Sequence, residues 1–239
     1  MAGTNFDDLV AAAWPAPYSQ DIGGWRLRHA AGVTKRANSV LPVGAPGAPI
    51  DRAIERVEGA YGELGLPAAF QLSAASRPEG LDEVLAGRGY DVVDPTLAMA
   101  AELDDPGPQD DVMITTRPSQ EWKDVWWSVD GRGDDAALAM AERILTGVPA
   151  GYAVLDGVAV GRGVPQGEWL GVYAMAVLPE ARRRGLARQV LRALMAWGYE
   201  QGCRKAYLVV VEANAAARAL YESAGFRNAG GYHYRVRRQ

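Results

Sequence analysis

The strongest pattern of hydrophobic and polar positions along this 239-residue chain lies in residues 172–197. An apolar run from Val172 to Leu178 predicts a buried strand, which Pro179 ends. From Gly185 onward, apolar residues recur at helical spacing with charged residues opposite, so we predict a helix there. A short basic turn over residues 182–184 joins the strand to the helix.

This turn has the properties of an anion-binding site. Gly185 and Ala187 are small enough for a ligand to approach the backbone. The free N–H groups of a first helical turn and the helix dipole both favour an anion, and neighbouring arginines can add charge-assisted bonds. The turn has neither the Gly-Lys-Ser/Thr of a Walker A loop nor a Gly-x-Gly-x-x-Gly fingerprint. We therefore predict a phosphate or pyrophosphate cradle of another kind.

The first half of the chain alternates between strand-like and helix-like periodicity. A strand with a break at Pro95 is predicted over residues 90–103, after an order of strand, strand, helix, strand and helix. The other predicted elements are helices over 7–14, 50–64 and 78–88 and strands over 25–29, 37–43 and 68–73. The polar segments 25–28 and 34–39 are interpreted as an edge hairpin in preference to part of an acceptor site.

A Pro- and acid-rich segment, Asp104–Asp111, predicts a linker, so we divide the chain into domains 1–110 and 111–239. In the second half, a hairpin is centred on Asp156-Gly157 and a buried strand covers residues 206–211. The remaining predicted elements are strands over 112–117, 168–178 and 232–237 and helices over 119–129, 134–145 and from Asn214 onward. Trp122, Trp126 and Trp127 are expected mainly in the core, with contact to a substrate as the alternative.

Charge is distributed unevenly between the halves. Residues 1–110 carry 8 Lys+Arg and 16 Asp+Glu, whereas residues 111–239 carry 17 and 13. The acidic half has two open interpretations, attraction of a cationic substrate or a solvated surface. The basic residues are not interleaved with aromatic ones, which argues against nucleic-acid binding.

Composition also bears on compartment and on metals. We expect no membrane span and no secretory signal, and the single cysteine, Cys203, fits a reducing cytoplasm. Two histidines and one cysteine make a zinc site improbable, so no metal is expected.

Two motifs in the second half carry a family resemblance. Arg182, Gly185 and Ala187 match the loop Arg/Gln-x-x-Gly-x-Gly/Ala. Downstream, the sequence matches Asn-x-x-Ala-x-x-Leu-Tyr-x-x-x-Gly-Phe at Asn214, Ala217, Leu220, Tyr221, Gly225 and Phe226. In this order and spacing the two motifs resemble motifs A and B of the GCN5-related N-acetyltransferases (GNAT), over residues 112–239.

The resemblance implies a fold and a coenzyme. The expected fold is α/β (α+β), with a mixed, mostly antiparallel central sheet flanked by helices, and the expected co-substrate is acetyl-CoA. The element order of residues 1–110 repeats the later part of such a domain, which suggests two related halves. The corresponding loop, Gly44–Pro49, holds no arginine. We therefore expect a degenerate first copy that does not bind CoA and that helps to shape a substrate pocket.

The resemblance also implies roles for individual residues. Tyr221 would act as the general acid to the leaving thiolate, although a buried core tyrosine is the alternative from the residue alone. Asn214 would cap its helix and help to hold CoA. Met175 and Val177 would contact the pantetheine arm through their backbone. The pyrophosphate would lie against Arg182, Arg183, Arg184, Gly185, Leu186, Ala187 and Arg188.

The general base and the acceptor are less constrained. Glu168 and Glu212 are candidate bases, with a solvated edge residue and a structural residue as their respective alternatives. The predicted activity is direct acetyl transfer to a primary amine, on a small molecule in preference to a protein, by a monomer or homodimer. A non-catalytic acyl-CoA sensor and a protein-interaction module remain open as alternatives.

Overall fold

The computed structural model describes residues 5–104, 107 and 111–237, which form seven α-helices and eleven β-strands. The helices are α1 (Phe6–Ala13), α2 (Ile50–Glu63), α3 (Leu81–Gly87), α4 (Gln120–Asp130), α5 (Asp135–Leu145), α6 (Leu186–Glu200) and α7 (Ala215–Ser223). The strands are β1 (Tyr18–Ile22), β2 (Trp25–His29), β3 (Val40–Pro42), β4 (Ala69–Ser73), β5 (Tyr90–Glu102), β6 (Met113–Thr115), β7 (Gly151–Leu155), β8 (Ala159–Gln166), β9 (Trp169–Val177), β10 (Lys205–Val211) and β11 (Arg227–Arg237). Within these described ranges, no helix is both long and apolar enough to cross a membrane.

All eleven strands belong to one sheet, in the order β1-β2-β3-β4-β11-β5-β10-β9-β8-β7-β6. Neighbouring strands are antiparallel except in two pairs, β3 with β4 and β9 with β10. Each parallel pair is connected through a helix, α2 in the first case and α6 in the second, as parallel pairing requires. The predicted mixed, mostly antiparallel sheet flanked by helices is confirmed.

The two halves exchange strands at the centre of this sheet. Strand β5, from the first half, lies between β10 and β11. Strand β11, from the second half, lies between β4 and β5. The predicted linker, Asp104–Asp111, falls mostly outside the described residues, and the division into domains 1–110 and 111–239 stays a prediction. Each half repeats the order parallel pair, helix, strand, but a degenerate duplicated copy also stays a prediction.

Some predicted elements differ from those observed. The strand expected over 37–43 is shorter, because Thr34 accepts a bond from the Ala37 N–H and caps a 3-10 turn over Lys35–Ala37. The break expected at Pro95 is wrong, since β5 is continuous through it. The strand tolerates the proline through a bulge, with Asp94 at a φ of 48°. Strand β1 was not predicted, because its residues are almost all polar and exposed.

The core links the N-terminal helix to the second half. Val10 and Trp14, in and just after α1, pack into the aromatic cluster of α4 and β9. Trp14 contacts Trp126 with ring centroids 6.5 Å apart and Tyr173 at 5.8 Å. Burial of such rings stabilises by about 2–3 kcal/mol each. Trp122 is fully buried and donates to the Gly161 carbonyl at 3.0 Å, which confirms its core role.

Candidate active site

A cavity opens where β9 and β10 separate. The two strands pair in parallel only as far as Val172 and Leu208. Beyond this point, β9 contains a bulge between Tyr173 and Ala176, where Ala174 adopts a φ of 51°. The cavity between the diverging strands has a volume of about 380 Å³. The edge of β9 beyond Val172 is therefore not paired with β10.

The turn after β9 presents an open helix end. Gly185, at a φ of 80°, precedes α6, which begins at Leu186 as predicted. No side chain caps this helix, and residues 182–185 are exposed. The Arg188 and Gln189 N–H groups both bond to the Gly185 carbonyl. By helix geometry, the N–H groups of Leu186 and Ala187 have no partner within the helix and are available to an anion.

Four arginines surround this helix end. Arg182 Nε donates to the Val177 carbonyl at 3.2 Å, and Arg188 Nη2 donates to Ser223 Oγ at 2.8 Å. Arg183 and Arg184 are exposed in the turn itself. None of the four forms an ion pair with a carboxylate in the described part of the chain. Their positive charge is therefore not neutralised locally.

The residues of the second motif reach the same cavity. Asn214 Oδ1 accepts the Ala217 N–H at 3.1 Å, which confirms Asn214 as the cap of α7. Asn214, Tyr221 and Met175 all line the cavity. Val177 lies at the end of β9, and its carbonyl is bonded by Arg182 rather than facing the cavity. Of the residues implied by the resemblance, Met175, Asn214 and Tyr221 thus line one cavity, whereas Val177 and the residues of the basic turn do not.

Tyr221 is buried against the core and faces this cavity. Tyr221 is 8% exposed, and its ring contacts the Phe226 ring edge-on, with the two centroids 6.1 Å apart. Burial, with the negative charge of Asp130 as a second cause, raises the pKa of Tyr221 to about 12. The hydroxyl therefore keeps its proton at neutral pH, as a proton donor must.

Glu168 is not brought to this cavity. It lies before β9, at the end opposite the cavity-lining residues, and pairs with Lys205 at 3.2 Å. The first cavity-lining residue of β9, Val172, is four residues further along the strand, about 13 Å away, so Glu168 does not reach the cavity that Tyr221 lines. The structure supports the alternative of a solvated edge residue.

Glu212 lies at a different cavity. This second cavity is larger, about 680 Å³, and its lining includes Arg77, Asp82 and His233. Neither Tyr221 nor the cradle lines it. We assign the active site to the smaller cavity because the separated strands and the second motif both line it, and because β9 leads from it through a short turn to the open helix end. Neither expected base is therefore in contact with that cavity.

Asp130 is a carboxylate at the active-site cavity that the sequence did not single out. It is the last residue of α4, one turn after Trp126, and both line the cavity. Although the residue is exposed overall, partial burial of the carboxylate raises the pKa of Asp130, and the positive charge of Arg132 opposes this. Its i, i+4 spacing from Trp126 was the available signal, but the predicted helix ended at residue 129, one residue before Asp130.

The first half of the chain closes one side of the cavity. Trp14, Arg36 and Asp94 line it, with Tyr232 and Tyr234 of β11. The interpretation of segment 34–39 as part of an edge hairpin is wrong. The Thr34 cap folds the segment into a turn, which directs Arg36 to the cavity instead of to a sheet edge.

Comparison with known proteins identifies the family. The family model described as "Probable histone acetyltransferase Rv0428c C-terminal" matches residues 5–237. The chain belongs to this acetyltransferase family. It is 33% identical over 257 residues to "Uncharacterized N-acetyltransferase YobR" of Bacillus subtilis, covering 96% of each chain. It is 29% identical to "Probable histone acetyltransferase Rv0428c" of Mycobacterium tuberculosis, covering 92% of this chain and 69% of that protein.

Solved structures place this family member in the GNAT fold. A "GCN5-related N-acetyltransferase from Kribbella flavida" superposes with a TM-score of 0.68 at 18% identity, covering 100% of this chain and 97% of that one. The chain thus has the GNAT fold, and its family and its Bacillus subtilis relative identify it as an N-acetyltransferase, as the two motifs predicted.

Proposed function

We propose that the protein transfers an acetyl group from acetyl-CoA directly to the primary amine of a small molecule. The observation that carries this proposal is that a separated strand pair, Asn214 and the buried Tyr221 line one cavity, and that β9 leads from this cavity to an uncapped helix end. The sequence-based expectation of a monomer or homodimer accompanies the proposal.

The coenzyme would follow the path that the exposed donors offer. Its pyrophosphate lies against the Leu186 and Ala187 N–H groups and takes charge-assisted bonds from the arginines of the turn. The pantetheine arm runs along the edge of β9 near Met175 and Val177, where β9 has no hydrogen bonds to β10. The arm takes the place of β10 as the hydrogen-bond partner of this edge. The thioester then lies in the cavity with Tyr221.

In the chemical step, an uncharged amine attacks the thioester carbonyl carbon and a C–N bond forms. A backbone N–H of β9 near the bulge stabilises the developing oxyanion. When the C–S bond breaks, the Tyr221 hydroxyl donates its proton to the departing sulfur. The proton lost by the amine passes to Asp130, directly or through water, and solvent restores both groups. The charge of Asp130 also holds the incoming ammonium, which releases its first proton to water to become the uncharged amine.

The cavity favours a small acceptor. Its volume of about 380 Å³ must hold both the thioester and the amine-bearing part of the acceptor. Trp14 and Arg36 of the first half close one side of the cavity. A protein amine is the second candidate, because one relative is described as a probable histone acetyltransferase.

The proposal is tested by release of free CoA thiol from acetyl-CoA, with small primary amines and a histone-tail peptide as acceptors. Acetylation of a small amine with the peptide inert supports the proposal. The peptide as the better acceptor supports the second candidate. CoA binding by calorimetry without turnover of any amine indicates the acyl-CoA sensor, and absence of both overturns the assignment of the cavity.

A further inference from the structure

Arg36 lines the active-site cavity as a cation that is packed against aromatic rings and has no carboxylate partner among the described residues. Its guanidinium lies over the Trp14 ring at 5.2 Å and over the Tyr173 ring at 5.5 Å. The guanidinium also hydrogen-bonds to the Tyr232 side chain, but its Nε is buried without a hydrogen-bond partner. An arginine is always charged, and a poorly hydrated charge without an anion is costly.

No carboxylate of the described residues neutralises this charge. Arg36 forms no ion pair within 4.0 Å in residues 5–104 and 111–237. The neighbouring Lys35, in contrast, pairs with Asp94 at 2.8 Å and is well exposed. Ring faces attract the cation but accept no bond of the strength that a carboxylate oxygen accepts. Arg36 is therefore ready for an anion that enters the cavity.

The same cavity holds one carboxylate suited to an ammonium group. Asp130 lines it together with Arg36 and Tyr221. Burial raises the pKa of Asp130, and the charge of Arg36 is a minor cause that opposes the rise. Burial also raises the pKa of Tyr221, with the charge of Asp130 as the second cause. The carboxylate, the guanidinium and the proton donor thus line one cavity, and Arg36 and Asp130 form no ion pair with each other.

We propose that the acceptor is an amino acid or a similar small molecule that carries both an amine and a carboxylate. Arg36 binds the carboxylate, and Asp130 binds the amine beside Tyr221. The planar guanidinium matches a carboxylate with two parallel N–H···O bonds, which a lysine cannot reproduce. This inference rests on the proposed acetyl transfer.

The arrangement also selects against other amines. A diamine of similar length would place its second ammonium against Arg36, and like charges repel across a partly desolvated site. A neutral carboxamide would keep its shape but lose the charge-assisted pair. Trp14, Trp126 and Tyr173 would contact the apolar part of the acceptor between the two charges.

The experiment compares matched probes in the thiol-release assay. The probes are α-, β- and γ-amino acids, the carboxamide of each, and diamines of equal length. We expect the best amino acid to exceed its carboxamide by about 10- to 100-fold in kcat/KM, the worth of a charge-assisted pair. Arg36→Gln should raise KM for the amino acid by a similar factor and leave the carboxamide unchanged. Arg36→Lys should recover only part of the preference, and Arg26→Gln, an exposed arginine outside the cavity, should retain all of it.

The outcomes separate this inference from the proposed function. CoA affinity and thermal unfolding of each variant show whether Arg36 is needed only for folding. Carboxamides or diamines acetylated at least as well as amino acids would overturn the carboxylate site and leave acetyl transfer intact. A preference for amino acids over carboxamides that persists in Arg36→Gln would likewise overturn the carboxylate site and leave acetyl transfer intact. If no probe is acetylated, quenching of tryptophan fluorescence by amino acids must still require Arg36, or the inference is rejected.

Discussion

Asp130 on α4 and Tyr221 on α7 line the same cavity from different helices, and the carboxylate acts on the tyrosine through its charge. Burial is the larger cause and the Asp130 charge the second cause of a Tyr221 pKa of about 12. A proton donor and a carboxylate thus lie at the end of the separated strands, where a thioester would be cleaved.

Replacement of Tyr221 by phenylalanine removes the proton donor without changing the shape of the ring. We expect kcat for acetyl transfer to fall by about 10²- to 10⁴-fold, because the thiolate then departs without its acid. The dissociation constant of CoA, measured by calorimetry, should change little. Tyr199→Phe on α6, outside the cavity, is the matched control and should keep wild-type kcat. Unimpaired turnover by Tyr221→Phe would refute the acid role.

Partial burial raises the pKa of Asp130. This predicts an acidic limb in the dependence of kcat/KM on pH. The carboxylate must be charged to hold an ammonium, so kcat/KM is lost as pH falls through a value above the ordinary aspartate pKa of about 3.9. In Asp130→Asn this limb should disappear and kcat/KM at neutral pH should fall. The same amine is used throughout, so its own ionisation affects all proteins equally.

The control for this experiment is Asp124→Asn, an exposed position on the same helix that does not line the cavity. Its profile should superimpose on that of the wild type. A limb that persists in Asp130→Asn would assign it to another group.

A negative charge at the N-terminus of α6 should repel the pyrophosphate of the coenzyme. Gly185→Glu is expected to raise the dissociation constant of CoA by about 100-fold or more, since juxtaposed like charges cost several kcal/mol. Gly65→Glu is a closely matched control. Gly65 has a φ of 66° against 80° for Gly185, and an added Cβ meets no atom within 4 Å at either position. Equal losses of CoA affinity in both variants would indicate backbone strain instead of charge repulsion.

The exchanged strand β11 is attached to the first half by a small ionic cluster. Asp82 on α3 accepts from Arg235 Nε at 2.5 Å and lies 3.1 Å from His233 Nε2. The hydrogen bond from Arg235 is the main cause that lowers the pKa of Asp82. A lowered pKa contributes stability that is present above the unfolded pKa of about 3.9 and is lost as pH falls through the folded value.

Asp82→Asn should therefore lower the free energy of unfolding at pH 7 by about 0.2–1 kcal/mol, a small effect because the carboxylate is partly exposed. The difference from wild type in urea unfolding should shrink as the pH is taken below about 3. Asp21→Asn, in an exposed pair on β1, serves as the control. A difference that is unchanged at low pH would show that the charge of Asp82 does not contribute.

The coenzyme side of the site could be predicted from sequence because short local patterns encode it. Gly185 and Asn214 are needed at helix ends whatever packs around them, and Tyr221 follows at fixed helical spacing. The acceptor side depends on tertiary contacts between distant segments. Arg36 and Asp130 meet only because α1 and the 34–37 turn pack against α4 and β9, and no spacing in the sequence records that.

The strand exchange could not be predicted from the sequence either, because it also depends on contacts between distant segments. Strands β5 and β11 have ordinary strand patterns, and which neighbours they pair with is decided by the assembled sheet. Glu168 was a reasonable candidate base by its proximity to the strand. The direction of β9, however, places it at the wrong end.

A crystal structure with bound CoA tests the central claim most directly. The account predicts pyrophosphate oxygens about 3 Å from the Leu186 and Ala187 N–H groups, within hydrogen-bond distance. It also predicts a pantetheine arm between β9 and β10 and a sulfur atom in contact with the Tyr221 hydroxyl. Coenzyme bound instead in the larger cavity beside Glu212, or with its sulfur beyond reach of Tyr221, would contradict it.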